Sequence, residues 1–314
     1  MDKILFLEGK FSEKIWGGSR LKTEYGYDIP SSKTGEYWAI SGMEGSSSVI
    51  TNGKFKGKSL REVYKNKLDL FGNSKEKDFP LLVKIIDAAD DLSIQVHPDD
   101  EMGKRLENSK GKTECWYILN EKPASIIFGL NVKTKEEAIR LIDERRWEEL
   151  LREVPTKCGD FFFVRAGTVH AIKKGSLILE IQQASDITYR LYDYDRKDAD
   201  GNLRDLHLEK SKEAIKILPE ENEIEEINKG GFIEKILTSN EYFEVREFEI
   251  ENEAEFKREK PYLLETVAHG EGKIIIEDES YPIKKGDFFI LTNKATTYKF
   301  KGKLTIVESD PLEN

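Results

Sequence analysis

Short apolar runs separated by polar turns dominate the chain. "PLLVKIIDA", "LSIQVH", "ECWYIL", "SIIFGL", "DFFFVR", "LILEIQQ" and "ITYRLYD" follow one another, each bounded by Gly, Asn, Asp or Lys. Runs this short, rich in Ile, Val, Phe and Tyr, predict an antiparallel β-sandwich or barrel. The period changes in three places. Ser59 with Glu62 forms a capping box ahead of "LREVYKNKL", and Thr134 with Glu137 forms another ahead of "EEAIRLIDERRWEELLREV". Helices are therefore predicted near residues 59–71 and 134–153, with a third over 208–217. They read as helical insertions in an all-β fold.

The acidic stretch "PEENEIEEINKGG", residues 219–231, ends in paired glycines and reads as an interdomain linker. It divides the chain into an N-terminal domain, 1–218, and a smaller β-domain, 232–314. The two echo each other: "GDFFFVRAGTVH" (159–170) and "GDFFILTNKATTY" (286–298) share a turn-then-strand opening, which points to a duplicated fold. The second copy lacks the histidine, and His269 is the only one in that half, so no metal site is expected there.

Composition narrows the function classes. A chain of 314 residues can bury a core without staples. Its net charge of −10 argues against general nucleic-acid or anionic-membrane partners, so an anionic ligand would need a locally basic pocket. Cys115 and Cys158 lie far apart, which argues against a disulfide framework and for a reducing compartment, with both thiols expected in the core. The apolar run in "MDKILFLEGKFSEKIWGG" is too short for a signal peptide, and no stretch reaches membrane-spanning length, so a cytoplasmic location is expected.

Candidate chemistry begins with "LSIQVHPDD". Alternation along a strand points Gln95 and His97 to one face. His170 shares the β surroundings of His97, and Glu114 enters the apolar run "ECWYIL", a costly place for a carboxylate unless it meets a cation or metal. Together these four supply two imidazoles, a carboxylate and an amide oxygen, a set suited to zinc and also to manganese, iron or cobalt. Spacing alone is equally compatible with histidines that cap loops, a glutamine paired to backbone, and a Glu114–Lys112 salt bridge. Lys84, in "LLVKIID", is an ammonium in an apolar strand, where burial would lower its pKa and free a neutral amine; a snorkelling side chain is the bland alternative. Lys112 shares a strand face with Glu114. Trp38 and Trp116 read as core or pocket wall, Trp16 beside Gly17 and Gly18 as a candidate for the pocket mouth, and His207 as a surface or capping residue.

Five ordered motifs, "FPLLVKIIDA", "LSIQVHPDD", "KTECWYIL", "GDFFFVRAGTVHAI" and "QQASDITYRLYDYDR", resemble the type I mannose-6-phosphate isomerases, most closely the short Gram-positive-type form. The likeness runs almost end to end, through "KIWGG", "GEYWAIS" and "LHLEKS". "GDFFFVRAGTVH" is also similar to the second cupin motif, with Arg165 where many cupins carry proline. The resemblance implies two cupin-like domains, the first holding one zinc on Gln95, His97, Glu114 and His170. It also implies interconversion of mannose 6-phosphate and fructose 6-phosphate by proton transfer through a cis-enediol(ate), in a monomer or small homo-oligomer. Lys84 is the implied base with Lys112 its rival, Arg190 the active-site arginine that holds an oxyanion or phosphate, Arg196 a second phosphate contact, and Asp186 an aid to ring opening or an anchor for Arg190. "QVH" stands where most metal cupins carry His-x-His, which favours the isomerases over the dioxygenases. The ending "YDYDR" departs from the longer eukaryotic pattern and leaves the phosphate contacts open. Two other readings share the scaffold: a metal-dependent cupin oxygenase and a non-catalytic sugar-phosphate-binding cupin.

Overall fold

The computed structural model describes residues 2–197, 201–218 and 224–312. The chain forms two compact units that do not follow chain order. One comprises Met1–Lys10, Trp38–Val83 and Asn222–Asn314; the other comprises Phe11–Tyr37 and Lys84–Glu221. A chain-order boundary at 218 therefore misses that residues 38–83 pack with the C-terminal strands. Strand pairing is the reason: Ile4–Glu8 bonds Phe288–Leu291 on one side and Val49–Ile50 on the other.

Within the first unit the sheet runs, neighbour to neighbour, Glu225–Asn228, Phe232–Ser239, Phe243–Ile250, Thr297–Pro311, Leu263–Ile276, Phe288–Leu291, Ile4–Glu8 and Val49–Ile50. Its apolar face buries Phe248, Phe289, Phe300 and Ile306. Of the expected linker, residues 219–223 lie outside the described residues, whereas Glu225–Asn228 is a strand antiparallel to Phe232–Ser239. Its exposed acids blunt a sheet edge.

The remaining strands form two further sheets. One orders Phe161–Val164, Glu114–Ile118, Leu177–Gln183, Leu81–Asp87, Thr34–Ser41 and Lys10–Gly18; the other orders Tyr189–Tyr192, Ile94–Val96, His170–Ile172, Ala124–Leu130 and Leu151–Thr156. Side chains of both meet in one core, Ile86, Trp116, Phe162 and Ile178 from the first against Ile126, Phe128 and Ile172 from the second. The sheets face each other without closing into a barrel. On the outer face of the shorter sheet, Ile94, Val96, Ala171, Tyr189 and Leu191 pack with Leu141, Ile142 and Leu150 from the helical insertion. Alternation then sends Gln95, His170 and Arg190 inward.

Both predicted N-caps form, each as the hydroxyl half of its box: the Glu62 amide donates to Ser59 Oγ at 3.1 Å and the Glu137 amide to Thr134 Oγ1 at 3.2 Å. The first heads the helix Leu60–Asn66 and a following 3-10 turn, Leu68–Phe71. The helix expected over 134–153 is broken instead into Lys135–Asp143 and Trp147–Leu150, followed by the strand Leu151–Thr156. Arg145 turns the chain at φ +55, and pairing with Ala124–Leu130 captures the remainder as strand. The third helix spans Leu208–Ala214. Cys115 is buried as expected, but Cys158 is exposed, since it falls in the turn before Phe161–Val164.

Candidate active site

Pairing assembles the site from elements far apart in sequence. Ile94–Val96 lies between His170–Ile172 and Tyr189–Tyr192, in a register that sets His170, Gln95 and Arg190 side by side across three strands. The facing sheet contributes Glu114, Lys84 and Glu180. His97 follows its strand and is tied to the "RAGTVH" loop by the Gly167 amide, which donates to the His97 carbonyl at 2.9 Å.

Both imidazoles are oriented by backbone. His97 Nδ1 donates to the Ile187 carbonyl at 2.7 Å, and His170 Nδ1 to the Thr168 carbonyl at 2.9 Å. That fixes the tautomer and leaves each Nε2 lone pair inward. Each Nε2 lies 3.5 Å from a different oxygen of Glu114, and the three donor atoms fall within 4.8 Å of one another. All three residues are buried. Burial, reinforced by the Lys112 charge, holds both imidazoles neutral, His170 down to about 4. Burial and the nearby Glu180 carboxylate push Glu114 up to about 7. Lys112 Nζ stands 3.0 Å from Glu114 Oε2 as an ion pair. Even so, both Glu114 oxygens and His97 Nε2 are buried without an aligned hydrogen-bond partner among the described residues. Neutral imidazoles and an underbalanced carboxylate gathered this closely are a donor set that could hold a divalent metal ion. The Gln95 amide lies beside them, 3.3 Å from His170 Nε2, and turning it end for end would present its oxygen.

Beside this group opens a cavity of about 290 Å³ whose wall includes Trp16, Lys84, Gln95, Lys112, Glu180, Asp186, Arg190 and Arg204. Lys84 differs from the sequence expectation. Burial opposes its charge, but Glu180, with Nζ 3.1 Å from Oε1, followed by Glu36 and Asp186, outweighs burial and raises the lysine above its ordinary value. It is held as an ammonium rather than freed as an amine. Arg190 is braced by Nε to Ser93 Oγ at 3.3 Å and by Nη1 to the Asp205 carbonyl at 2.8 Å. His207 does not cap its helix through its side chain; its Nδ1 accepts from the Arg190 amide at 3.1 Å, and its own amide donates to the Arg190 carbonyl at 2.8 Å. Arg196 is not in the cavity wall: it bonds Asp193 Oδ1 at 2.6 Å and the carbonyls of Asp91 and Asp193.

Among the wall residues that sequence reasoning did not single out, Glu180 and Arg204 bear most on the site. Glu180 is buried, where desolvation would raise its pKa, yet Lys84 and Lys112 hold it down to about 2, and it accepts the Trp116 indole N–H at 3.3 Å. The signal was present: a carboxylate in "LILEIQQ" is as costly as Glu114 in "ECWYIL". Arg204, in the polar stretch "GNLRDLH", carried no signal.

A family model described as phosphomannose isomerase type I, catalytic domain, matches residues 4–134, and one described as mannose-6-phosphate isomerase, cupin domain, matches residues 233–311. A mannose-6-phosphate isomerase of Streptococcus mutans is 46% identical over 311 residues, covering 98% of this chain and 98% of that protein. The chain belongs to the type I phosphomannose isomerases. The crystal structure of the mannose 6-phosphate isomerase from Bacillus subtilis superimposes with a TM-score of 0.95 at 41% identity, over 98% of this chain and 99% of that one. A crystal structure of mannose 6-phosphate isomerase bound with zinc and yttrium shares the fold, with a TM-score of 0.76 at 17% identity over 98% of this chain and 99% of that one. In this member of the phosphomannose isomerases, His97 and Glu114 fall inside the span of the catalytic-domain model, while His170 lies beyond it and is brought back by strand pairing.

Proposed function

We propose that this chain interconverts mannose 6-phosphate and fructose 6-phosphate, moving a proton between C1 and C2 through a cis-enediol(ate), with one zinc held by His97, Glu114, His170 and Gln95. The observation that carries this reading is a buried imidazole–carboxylate–imidazole group set against a cavity lined by cations. When bound, the metal supplies a Lewis acid that polarises and orients the sugar oxygens.

The chain's own groups divide the remaining work. Lys84, kept charged by Glu180, and the Arg190 guanidinium stabilise anionic oxygen as it develops. Lys112, in the cavity wall beside Glu114, is the group left to carry the proton. Asp186, on the same wall, assists opening of the sugar ring, and Trp16, Ile86 and Ile172 exclude water from the reacting carbons. The substrate is a small anion, so a basic cavity in a chain of net charge −10 concentrates the attraction where chemistry occurs. No helix among the described residues is long and apolar enough to cross a membrane. The free thiols Cys115 and Cys158 suit the reducing cytoplasm in which this reading places the chain.

A coupled assay of fructose 6-phosphate formation from mannose 6-phosphate tests this. Turnover should vanish in chelator-stripped protein and return with zinc. Tight sugar-phosphate binding without turnover, whatever divalent metal is supplied, would replace the isomerase with a sugar-phosphate sensor.

A further inference from the structure

We infer that Arg204, held in place by Asp193, reads the 6-phosphate of the substrate and sets the preference for phosphorylated over free sugar. This rests on the isomerase reading above. Most cations of the cavity wall are already matched: Lys14 pairs with Glu36 at 3.3 Å, Lys84 with Glu180 at 3.1 Å and Lys112 with Glu114 at 3.0 Å. Arg190 and Arg204 are different. Arg190 is braced by a hydroxyl and a carbonyl, neither of which carries charge. Arg204 gives Nε to Asp193 Oδ2 at 2.7 Å and Nη2 to Oδ1, but it shares that single carboxylate with Arg196, whose Nη2 lies 2.6 Å from Oδ1. Arg196 reaches one further carboxylate, Asp90, at 3.9 Å on an exposed side chain. Two guanidiniums therefore share one buried carboxylate, and one of them, Arg204, lines the cavity together with Arg190.

That surplus has a direction. Burial and then the Arg204 charge pull the Arg190 guanidinium below the ordinary arginine value, so the two cations oppose each other across the wall. An anion between them relieves the repulsion. Arg204 Nη1 and Arg190 Nη2 have no hydrogen-bond partner among the described residues and supply the donors that a phosphate accepts. Asp193 occupies the Nε edge of Arg204 and acts as its positioning residue, fixing the fork before substrate arrives.

The separation suits the ligand. His170, Gln95 and Arg190 occupy one row, so the backbone positions that carry the metal group and Arg190 stand two strand spacings apart, about 10 Å. An open-chain hexose with its terminal phosphate spans a comparable length, reacting carbons at one end and phosphate at the other. Arg196 is excluded from the wall by its bonds to Asp193 and to the Asp91 carbonyl, and its part is to hold Asp193.

Calorimetric titration of the zinc-loaded chain with glucitol 6-phosphate, which has no carbonyl to isomerise, and with glucitol tests this apart from turnover. Arg204→Gln should weaken the phosphorylated ligand about 10- to 100-fold and raise KM for mannose 6-phosphate in step. Affinity for glucitol and zinc content should be nearly unchanged. Asp193→Asn should move the same quantities in the same direction by less. An Arg204→Gln protein that binds glucitol 6-phosphate within twofold of wild type, or loses both ligands equally, would overturn the assignment. Should that variant not fold, Arg204→Lys keeps the charge without the fork. It should bind the phosphorylated ligand less tightly, and wild-type affinity there would equally overturn the assignment. Wild-type protein that binds glucitol 6-phosphate through Arg204 but does not isomerise mannose 6-phosphate would sink the isomerase reading and leave the phosphate site standing.

Discussion

Glu114 is the residue on which the charge balance of the site turns. Buried between two neutral imidazoles and held near 7, it must give up a proton before it can bind a cation. Zinc affinity should therefore strengthen as pH rises from 6 toward 7 and flatten above it, because the competing proton is lost in that window. Titration of the stripped chain at several pH values checks this, and a flat profile would count against Glu114 as a ligand. Glu114→Gln keeps the volume but not the charge, and dialysed protein should retain well under one zinc per chain. The two lysines separate by a different logic. Lys112→Met should lower kcat by about 100- to 10,000-fold, the worth of a placed proton carrier, with zinc content intact. Lys84→Met leaves the fully buried Glu180 without its ion-pair partner, which costs about 3–5 kcal/mol of stability. Urea unfolding reads that loss, and an unchanged midpoint would show that Glu180 finds another partner.

At the scale of elements, register decides chemistry. Ile94–Val96 is a short strand, yet its pairing puts Gln95 between His170 and Arg190. A slip of one residue would turn Gln95 to the outer face and bring Ile94 or Val96 inward. The outer face resists that slip because Ile94, Val96 and Tyr189 are committed to the core beneath Leu141 and Ile142. The helix Lys135–Asp143 that supplies this cover begins at Thr134, whose hydroxyl accepts the Glu137 amide. Thr134→Ala should cost about 1 kcal/mol in urea unfolding without changing KM, since the cap stands on the far side of the sheet from the cavity. A raised KM would mean that the helix positions Arg190 as well as covering the sheet.

At the scale of the whole molecule, each unit carries its own buried ionisable cluster. In the unit that contains the C-terminal strands, Glu265 and Glu308 are direct cross-strand neighbours, both buried. Arg246 lies 3.0 Å from Glu308 Oε1, and the Tyr298 hydroxyl donates to Glu308 Oε2 at 3.2 Å. Both Glu265 oxygens are buried without an aligned hydrogen-bond partner among the described residues, and burial and then Glu308 outweigh the Arg246 charge to raise its pKa well above the ordinary glutamate value. A carboxyl raised on folding stabilises most below its unfolded pKa, near 4.5, and loses that contribution as pH rises toward its folded value. Glu265→Gln supplies a neutral group that cannot ionise in the unfolded chain. Its thermal midpoint relative to wild type should be higher at pH 8 than at pH 5, and the reverse order would show that Glu265 is charged in the folded protein.

Much of this was legible along the chain because local periodicity is written in adjacent residues. Alternation announced the strands, and the Ser59 and Thr134 caps announced two helix starts. The cost of a carboxylate in an apolar run singled out Glu114, and the same rule applied to "LILEIQQ" would have found Glu180. Three things had to wait for tertiary structure. The partition into units depends on which edge Ile4–Glu8 pairs with, a choice made against Phe288–Leu291 at the other end of the chain. The charge on Lys84 depends on Glu180, Glu36 and Asp186, whose approach no spacing reports. The exchange of Arg196 for Arg204 in the cavity wall depends on how Asp193 is shared. Sequence by itself determined which side chains alternate to which face, because the backbone dictates that residue by residue. Charge state and access were decided by neighbours that only the folded chain brings within a few ångströms.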